Sequence, residues 1–373
     1  MVGASRYDVI IAGAGAAGSS AAYFLGEAGA RVLVIEKERL PRYKPCGGAV
    51  PAVVFRLFPF SFDPVVERRP SYVLYSWRGE QAVRWPLAGR PISMVMRDRF
   101  DWHILQHARA DVWDGTAVAE VEEGADGVRV RTAGGDVLFA DYLIAADGAH
   151  SRLAHQLGLR RQRELVGTVE VEYAPAPAVV ERFADTALFE FGALRNGYLW
   201  IFPKGEHLSI GIGQLRGKGS ELRAVLYREM HKFGLDLENA PWHGHTLPVY
   251  RGPEPRGTTR ALLAGDAAGL VDPLSGEGIR HAVASAKLAA EAIIRERVPS
   301  YSRAVERYAR SRLRPILLLA RLFYEHPWAC YRYGVRNRRA TELFAGWLNG
   351  RASKARMMTG LLLCFLEGLV RLP

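Results

Sequence analysis

Residues 7–18 read YDVIIAGAGAAG, and residues 31–36 read RVLVIE. The first stretch is an apolar run that ends in Gly13-x-Gly15-x-x-Gly18. Small residues follow to Ala28 at helical spacing, and the second stretch is another apolar run, closed by Glu36. Strand, glycine turn, helix and strand in that order predict a βαβ unit. Each glycine has a physical task. Gly13 permits the tight turn, Gly15 lets backbone approach a pyrophosphate, and Gly18 lets helix and strand pack closely. The helix start adds N–H groups and the positive dipole end. Glu36 stands where an acid accepts hydrogen bonds from a ribose hydroxyl. These features predict a dinucleotide site but do not separate FAD from NAD.

The rest of the chain is mixed. Residues 71–88 contain two short aromatic-rich strand candidates around Arg78-Gly79. Phe100 to Ala110 looks helical. Residues 116–147 look like hairpins with turns at Asp126-Gly127 and Gly134-Gly135. Residues 166–214 are strand-rich, broken by a loop at Pro175-Ala-Pro177. Leu222 to Phe233 and Ile279 to Arg295 read as helices, and Ala261 to Ala264 as a short buried strand. Beyond Tyr301 the periodicity is helical, with a kink or break expected at Pro315.

At 373 residues the chain is long enough for one large two-part domain or two domains. Hydrophobic content of 49% and charged content of 24% suit a globular protein with a sizeable core. Cys46, Cys330 and Cys364 are too few and too scattered for a disulfide framework or a metal site. A reducing cytosol is the expected compartment. No signal peptide or apolar run of membrane-spanning length is visible. The net charge of +11 lies wholly in the last part of the chain, with sixteen basic and five acidic residues from Arg295 onward.

Two later segments bear on the cofactor. Ala145-Ala-Asp147-Gly148 and Leu263-Ala-Gly265-Asp266-Ala-Ala268 each follow a strand. They resemble motifs of the flavoproteins that include aromatic hydroxylases and geranylgeranyl reductases. The resemblance implies FAD, with Asp266 on its ribityl chain. It also implies that the segment Asp272-Pro-Leu-Ser-Gly276-Glu-Gly278-Ile279 sets its backbone amides against the flavin pyrimidine edge. A helix N-terminus there would stabilise the negative charge of reduced flavin. Arg97-x-x-Phe100-Asp101 matches an arginine that touches the cofactor in this group. An aspartate at either place is also a common helix N-cap, and Arg97 could be an ordinary helix-start arginine.

Arg42-Tyr-Lys-Pro-Cys46-Gly47-Gly48 resembles the K-x-C-G-G segment of geranylgeranyl reductases. Asn196-Gly-Tyr198-Leu-Trp200-Ile-Phe202-Pro203-Lys204 resembles their Y-x-W-x-F-P segment, although Asn196 stands where many members have proline. The likeness runs over most of residues 7–300. On a strand, Tyr198, Trp200 and Phe202 share one face. That face is a core layer, a pocket wall, or both. The family implies a wall of a prenyl-chain tunnel, including Pro203. It also implies a Cys46 thiol near flavin and alkene, where it positions the substrate or supplies a proton. Cysteine is equally at home as a small residue in a tight turn.

The full candidate cofactor set is Gly13, Gly15, Ala17, Gly18, Glu36, Lys37, Arg42, Cys46, Gly47, Gly48, Arg97, Asp147, Gly265, Asp266, Gly276, Gly278 and Ile279. Cys46, Gly276 and Gly278 are the catalytic candidates, and no metal is expected.

The expected fold is α/β. A Rossmann-type FAD-binding domain (1–70, 94–165, 255–300) carries an inserted antiparallel sheet for substrate (71–93, 166–254) and a helical C-terminal region (301–373). The expected function is saturation of prenyl carbon–carbon double bonds by FAD. NAD(P)H or a ferredoxin would donate the electrons, since no second nucleotide fingerprint appears. A monooxygenase on the same scaffold and a membrane-surface flavin electron carrier are the alternatives. A halogenase fits less well, because its W-x-W-x-I-P segment is absent. The basic C-terminal helices are either a solvated cap or a contact with an anionic bilayer. No nucleic-acid module accompanies the charge.

Overall fold

The computed structural model describes residues 6–159, 165–215 and 221–370, which divide into two units. The first comprises Met1–Lys44, Arg97–Leu165 and Leu247–Arg314. Its seven-stranded sheet sets Asp111–Asp114, Val32–Glu36, Tyr7–Ala12 and Val137–Ala145 side by side and parallel. Val137–Ala145 is long enough to take two partners on its other edge. Its first half pairs antiparallel with Gly127–Thr132, which pairs in turn with Val118–Gly124. Its last three residues pair parallel with Ala261–Leu263.

The central strands are largely apolar because both faces are covered. Helix Ala16–Glu27 packs on helix Ile279–Ile294; both are rich in alanine, and small residues let the two backbones come close. A Cβ on Gly265 would sit 2.9 Å from the Ala17 Cβ.

The second unit comprises Pro45–Met96, Val166–Thr246 and Pro315–Pro373. Its large sheet runs Trp242–Pro248, Leu165–Tyr173, Leu208–Gln214, Gly197–Pro203, Thr186–Phe191, Tyr72–Trp77, Glu80–Pro86. Thr186–Phe191 pairs parallel with Tyr72–Trp77, whereas Gly197–Pro203 is antiparallel to both of its neighbours. On one face Leu188, Leu199, Ile201, Ile210 and Ile212 pack with residues of helices Pro177–Phe183 and Leu222–His231. On the other face Tyr198, Trp200 and Phe202 join Phe189, Phe191 and Tyr75. A separate small sheet of Ala49–Pro51, Ile92–Val95 and Val66–Arg68 packs Met94 against Trp200 and Phe202.

The first two of the following elements differ from the sequence expectation, and the turn at Arg78-Gly79 and the break near Pro315 follow it. The helix expected from Phe100 begins at Arg97, because Arg97 and Asp101 form an i,i+4 ion pair in its first turn. Pro177 opens a helix rather than merely ending a loop, since its missing N–H costs nothing at a first helical position. Arg78 and Gly79 both have positive φ, the geometry of a two-residue hairpin turn. Near Pro315 the helix Tyr301–Arg312 ends and a new one, Arg314–Glu325, begins. Helices Arg338–Leu348 and Lys354–Val370 follow a π-helical turn at Cys330–Val335. Leu318, Leu322, Leu362, Leu363 and Leu366 of these C-terminal helices are exposed. Among the described residues no helix is long and apolar enough to cross a membrane.

Candidate functional site

The glycine loop of the first unit is held from below. Glu36, nearly buried, accepts the Ala14 N–H at 2.7 Å and the Glu38 N–H at 3.2 Å. Its Oε2 also lies 3.4 Å from the Arg42 Nε. Asp101 takes the Arg97 guanidinium in two bonds, 3.0 and 2.7 Å, and approaches Arg42 Nη1 at 3.6 Å. Gly18 is forced, because a Cβ there would lie 1.8 Å from the Gly13 carbonyl oxygen.

Gly15 faces the two arginines. A Cβ on it would stand 3.2 Å from Arg42 Nη2 and 3.9 Å from Arg97 Nη2. Arg42 Nη1 is buried and lacks a hydrogen-bond partner. A buried donor without an acceptor costs about 1–3 kcal/mol, more when charged. Two guanidiniums and a helix N-terminus around a glycine gap fit a diphosphate, which would supply the missing acceptors.

Further candidates collect at the start of helix Ile279–Ile294. Asp266 pairs with Lys44 at 3.1 Å, and a Cβ on Gly278, the N-cap of that helix, would lie 3.5 Å from Asp266 Oδ1. Asp272 shapes the loop before it. Its Oδ1 accepts the N–H groups of Leu274 and Ser275, both at 2.8 Å, and its backbone carbonyl accepts that of Gly276. Burial pushes the carboxyls of Asp272 and Glu277 up. Behind them Glu277 binds Arg280 at 3.0 Å, and His281 Nδ1 lies 2.8 Å from the Tyr308 hydroxyl. Burial, aided by the Arg280 charge, holds His281 well below its ordinary value, so it is neutral. This network behind the loop was not anticipated from sequence.

Asp147 adjoins the glycine loop through its backbone, since a Cβ on Gly13 would lie 3.3 Å from the Asp147 nitrogen. Its carboxylate accepts the Ser151 hydroxyl at 2.6 Å and the Leu153 N–H at 3.3 Å, bonds that shape the start of helix Arg152–Gln156. Lys37 is highly exposed, 3.9 Å from Glu38.

In the second unit the Cys46-Gly47-Gly48 turn meets the aromatic face. A Cβ on Gly47 would lie 3.0 Å from both Phe202 Cε2 and Trp200 Nε1. The Cys46 N–H donates to Glu170 Oε1 at 2.6 Å. Lys204 reaches the same turn. Neither Glu170 nor Lys204 was singled out from sequence. The signal was weak: Lys204 directly follows Pro203, and charged residues after a strand usually face solvent.

Matches to known families fit this geometry. Residues 8–47 match the family described as FAD dependent oxidoreductase, and residues 87–198 match one described as FAD binding domain. A digeranylgeranylglycerophospholipid reductase of Methanothermobacter thermautotrophicus is 31% identical over 77% of this chain and 77% of that protein. The chain belongs to the geranylgeranyl reductase family of FAD-dependent oxidoreductases. A menaquinone reductase of Mycolicibacterium smegmatis is also 31% identical, over 82% of each chain. The crystal structure of a geranylgeranyl bacteriochlorophyll reductase-like protein from Thermoplasma acidophilum has the same fold. Its TM-score is 0.76, at 20% identity over 98% of this chain and 97% of that one. The family's cofactor is FAD, and the protein is an oxidoreductase.

Proposed function

We propose that this protein saturates carbon–carbon double bonds in a prenyl chain of geranylgeranyl type, carried by a lipid, quinone or chlorophyll precursor. The observation that carries the reading is the aromatic face of Tyr198, Trp200 and Phe202 packed directly on the Cys46-Gly47-Gly48 turn. The names of the relatives, a prenyl-lipid reductase and a quinone reductase, point the same way.

When bound, reduced FAD would supply the hydride for one alkene carbon, with a proton completing saturation at the other. An external donor, NAD(P)H or a ferredoxin, returns two electrons. Gly15, Arg42 and Arg97 would hold the pyrophosphate, and Asp266 the ribityl chain. The amides near Gly276 and Gly278 would meet the flavin ring. Apolar contacts with Tyr198, Trp200, Phe202 and Pro203 orient the chain and exclude water. Cys46 fixes the alkene's position, and its thiol is the first candidate for the proton.

The test is anaerobic incubation of the reduced holoenzyme with geranylgeranyl diphosphate, menaquinone and an unsaturated archaeal-type lipid. Mass spectrometry should show the gain of two hydrogens per bond on at least one of them. In a parallel aerobic incubation, stoichiometric oxygen consumption with a hydroxylated product would overturn the reading in favour of a monooxygenase.

The exposed leucines of helices Arg314–Glu325 and Lys354–Val370, with Arg321, Lys354 and Arg356 nearby in sequence, are the proposed contact with an anionic bilayer. Co-sedimentation with phosphatidylserine-containing vesicles should be strong at low salt and weak at high salt. Equal recovery with neutral vesicles would remove the electrostatic part of this contact.

A further inference from the structure

Lys204 is fully buried at the end of strand Gly197–Pro203. Its ammonium donates to the Gly47 carbonyl at 2.8 Å and the Val95 carbonyl at 2.7 Å. It forms no ion pair among the described residues. Burying an ammonium on neutral carbonyls alone is costly. Burial accordingly lowers its affinity for a proton, while Glu172, Cys46, Glu170 and Glu67 oppose that effect. A methionine would fill similar space without the penalty, so the charge is retained for what it bonds.

What it bonds is the cysteine turn, which is pinned at each of its three residues. The Cys46 N–H is held by Glu170 at 2.6 Å. The Gly47 carbonyl is held by Lys204, and the Gly48 carbonyl accepts the Val95 N–H at 2.9 Å. Within the turn the Gly48 N–H donates to Cys46 Sγ at 3.4 Å, which fixes the sulfur itself. No looser turn fits. A Cβ on Gly48, whose φ is +65°, would lie 2.1 Å from the Val95 oxygen and 2.5 Å from the Lys204 ammonium.

We propose that Lys204, with Glu170 as its counterpart, is the positioning residue for Cys46, locking the cysteine turn so that the sulfur occupies one place. This rests on Cys46 acting at the substrate alkene, as proposed above, and its test includes readouts that need no substrate.

In the holoenzyme, Lys204→Met should speed amide hydrogen exchange across residues 45–49 by on the order of tenfold. The alkylation rate of Cys46 by iodoacetamide, read against a Cys46→Ser control, should change by at least about threefold as the thiol is released from its fixed place. If prenyl reduction is established, kcat should fall on the order of 10- to 100-fold with little change in KM. In a Cys46→Ser background the same substitution should cost little more, since one residue acts through the other. A merely structural lysine would lower the melting temperature while leaving exchange at the turn and the thiol rate as in the wild type, and that result would overturn the proposal. Should Lys204→Met fail to accumulate, Glu170→Ala cuts the opposite anchor and is read by the same two measurements. Failure of prenyl turnover with altered thiol behaviour would overturn the substrate reading and leave the clamp standing.

Discussion

Gly13→Ala should yield a protein that emerges from purification without its flavin. Gly13 has φ +101°, where any L side chain is strained. Its added Cβ would lie 2.4 Å from the Ala146 carbonyl oxygen and 2.9 Å from the carbonyl carbon. Neither side can give way easily. The Gly13 N–H is bonded to the Ile35 carbonyl at 2.8 Å, and the Ala146 N–H to the Ala12 carbonyl at 2.8 Å. The turn must therefore open, which tilts the Ala14 N–H away from Glu36 and spoils the helix start proposed to meet the diphosphate. Overpacking of this kind costs about 1–3 kcal/mol before the positive φ is counted. A loss of about 2.8 kcal/mol in binding is already about a hundredfold in FAD affinity. Gly135→Ala is the control, because it shares a positive φ, +95°, with nothing within 4 Å of the new atom. It should keep its flavin. Wild-type flavin absorbance in Gly13→Ala would contradict the assignment of this loop to the cofactor.

Gly211→Ala should do the opposite, sparing the flavin and damaging the substrate step. Gly211 is opposite Trp200 in the antiparallel register, and the indole lies flat across it. A Cβ would fall 2.1 Å from Trp200 Cζ2 and 2.5 Å from Cη2. The ring has little room to retreat, with Tyr198 and Phe202 on its flanks, each 6.2 Å between centroids, and Gly47 at its Nε1 edge. The alanine should lower stability by about 1–3 kcal/mol and shift the indole from its wall position. Flavin content should match the wild type, intrinsic tryptophan fluorescence should shift, and KM for a prenyl substrate should rise by about tenfold, the scale of one lost apolar contact. Unchanged KM with a displaced Trp200 would argue that the aromatic face is core alone. Gly213→Ala is a fitting comparison, because its nearest neighbour would be the Thr168 methyl at 3.3 Å.

The parts of this protein legible in sequence were those whose partners are near in the chain. Gly13 to Glu36 announces itself because strand, turn, helix and acid are consecutive. The hairpin strands from Val118 to Ala145 and the turn at Arg78-Gly79 are local for the same reason. Alternation placed Tyr198, Trp200 and Phe202 on one face, as they are. The Glu170 carboxylate that holds Cys46 is 124 residues away, and the Lys204 ammonium on Gly47 is 157 away. No local pattern marks such pairs. Short strands such as Ala49–Pro51 and Val66–Arg68 were missed because three residues carry no usable period. Asp147 shows the converse limit. An aspartate after a strand reads alike whether it shapes a helix start or meets a ligand, and its bonds to Ser151 and Leu153 show the first of these roles without deciding the second.

The shared strand Val137–Ala145 also sets a timetable. Its last residues wait for Ala261–Leu263 to reach their second edge. On a ribosome adding ~5–20 residues per second, the stretch from Ala145 to Ala261 takes about 6–25 s to emerge. For that interval the nascent parallel sheet has an open border at Leu143–Ala145, and neither Asp266 nor Gly278 has yet been made. The glycine loop is thus finished early, but the rest of the proposed cofactor cradle comes late, which would put flavin loading at the end of synthesis rather than its beginning.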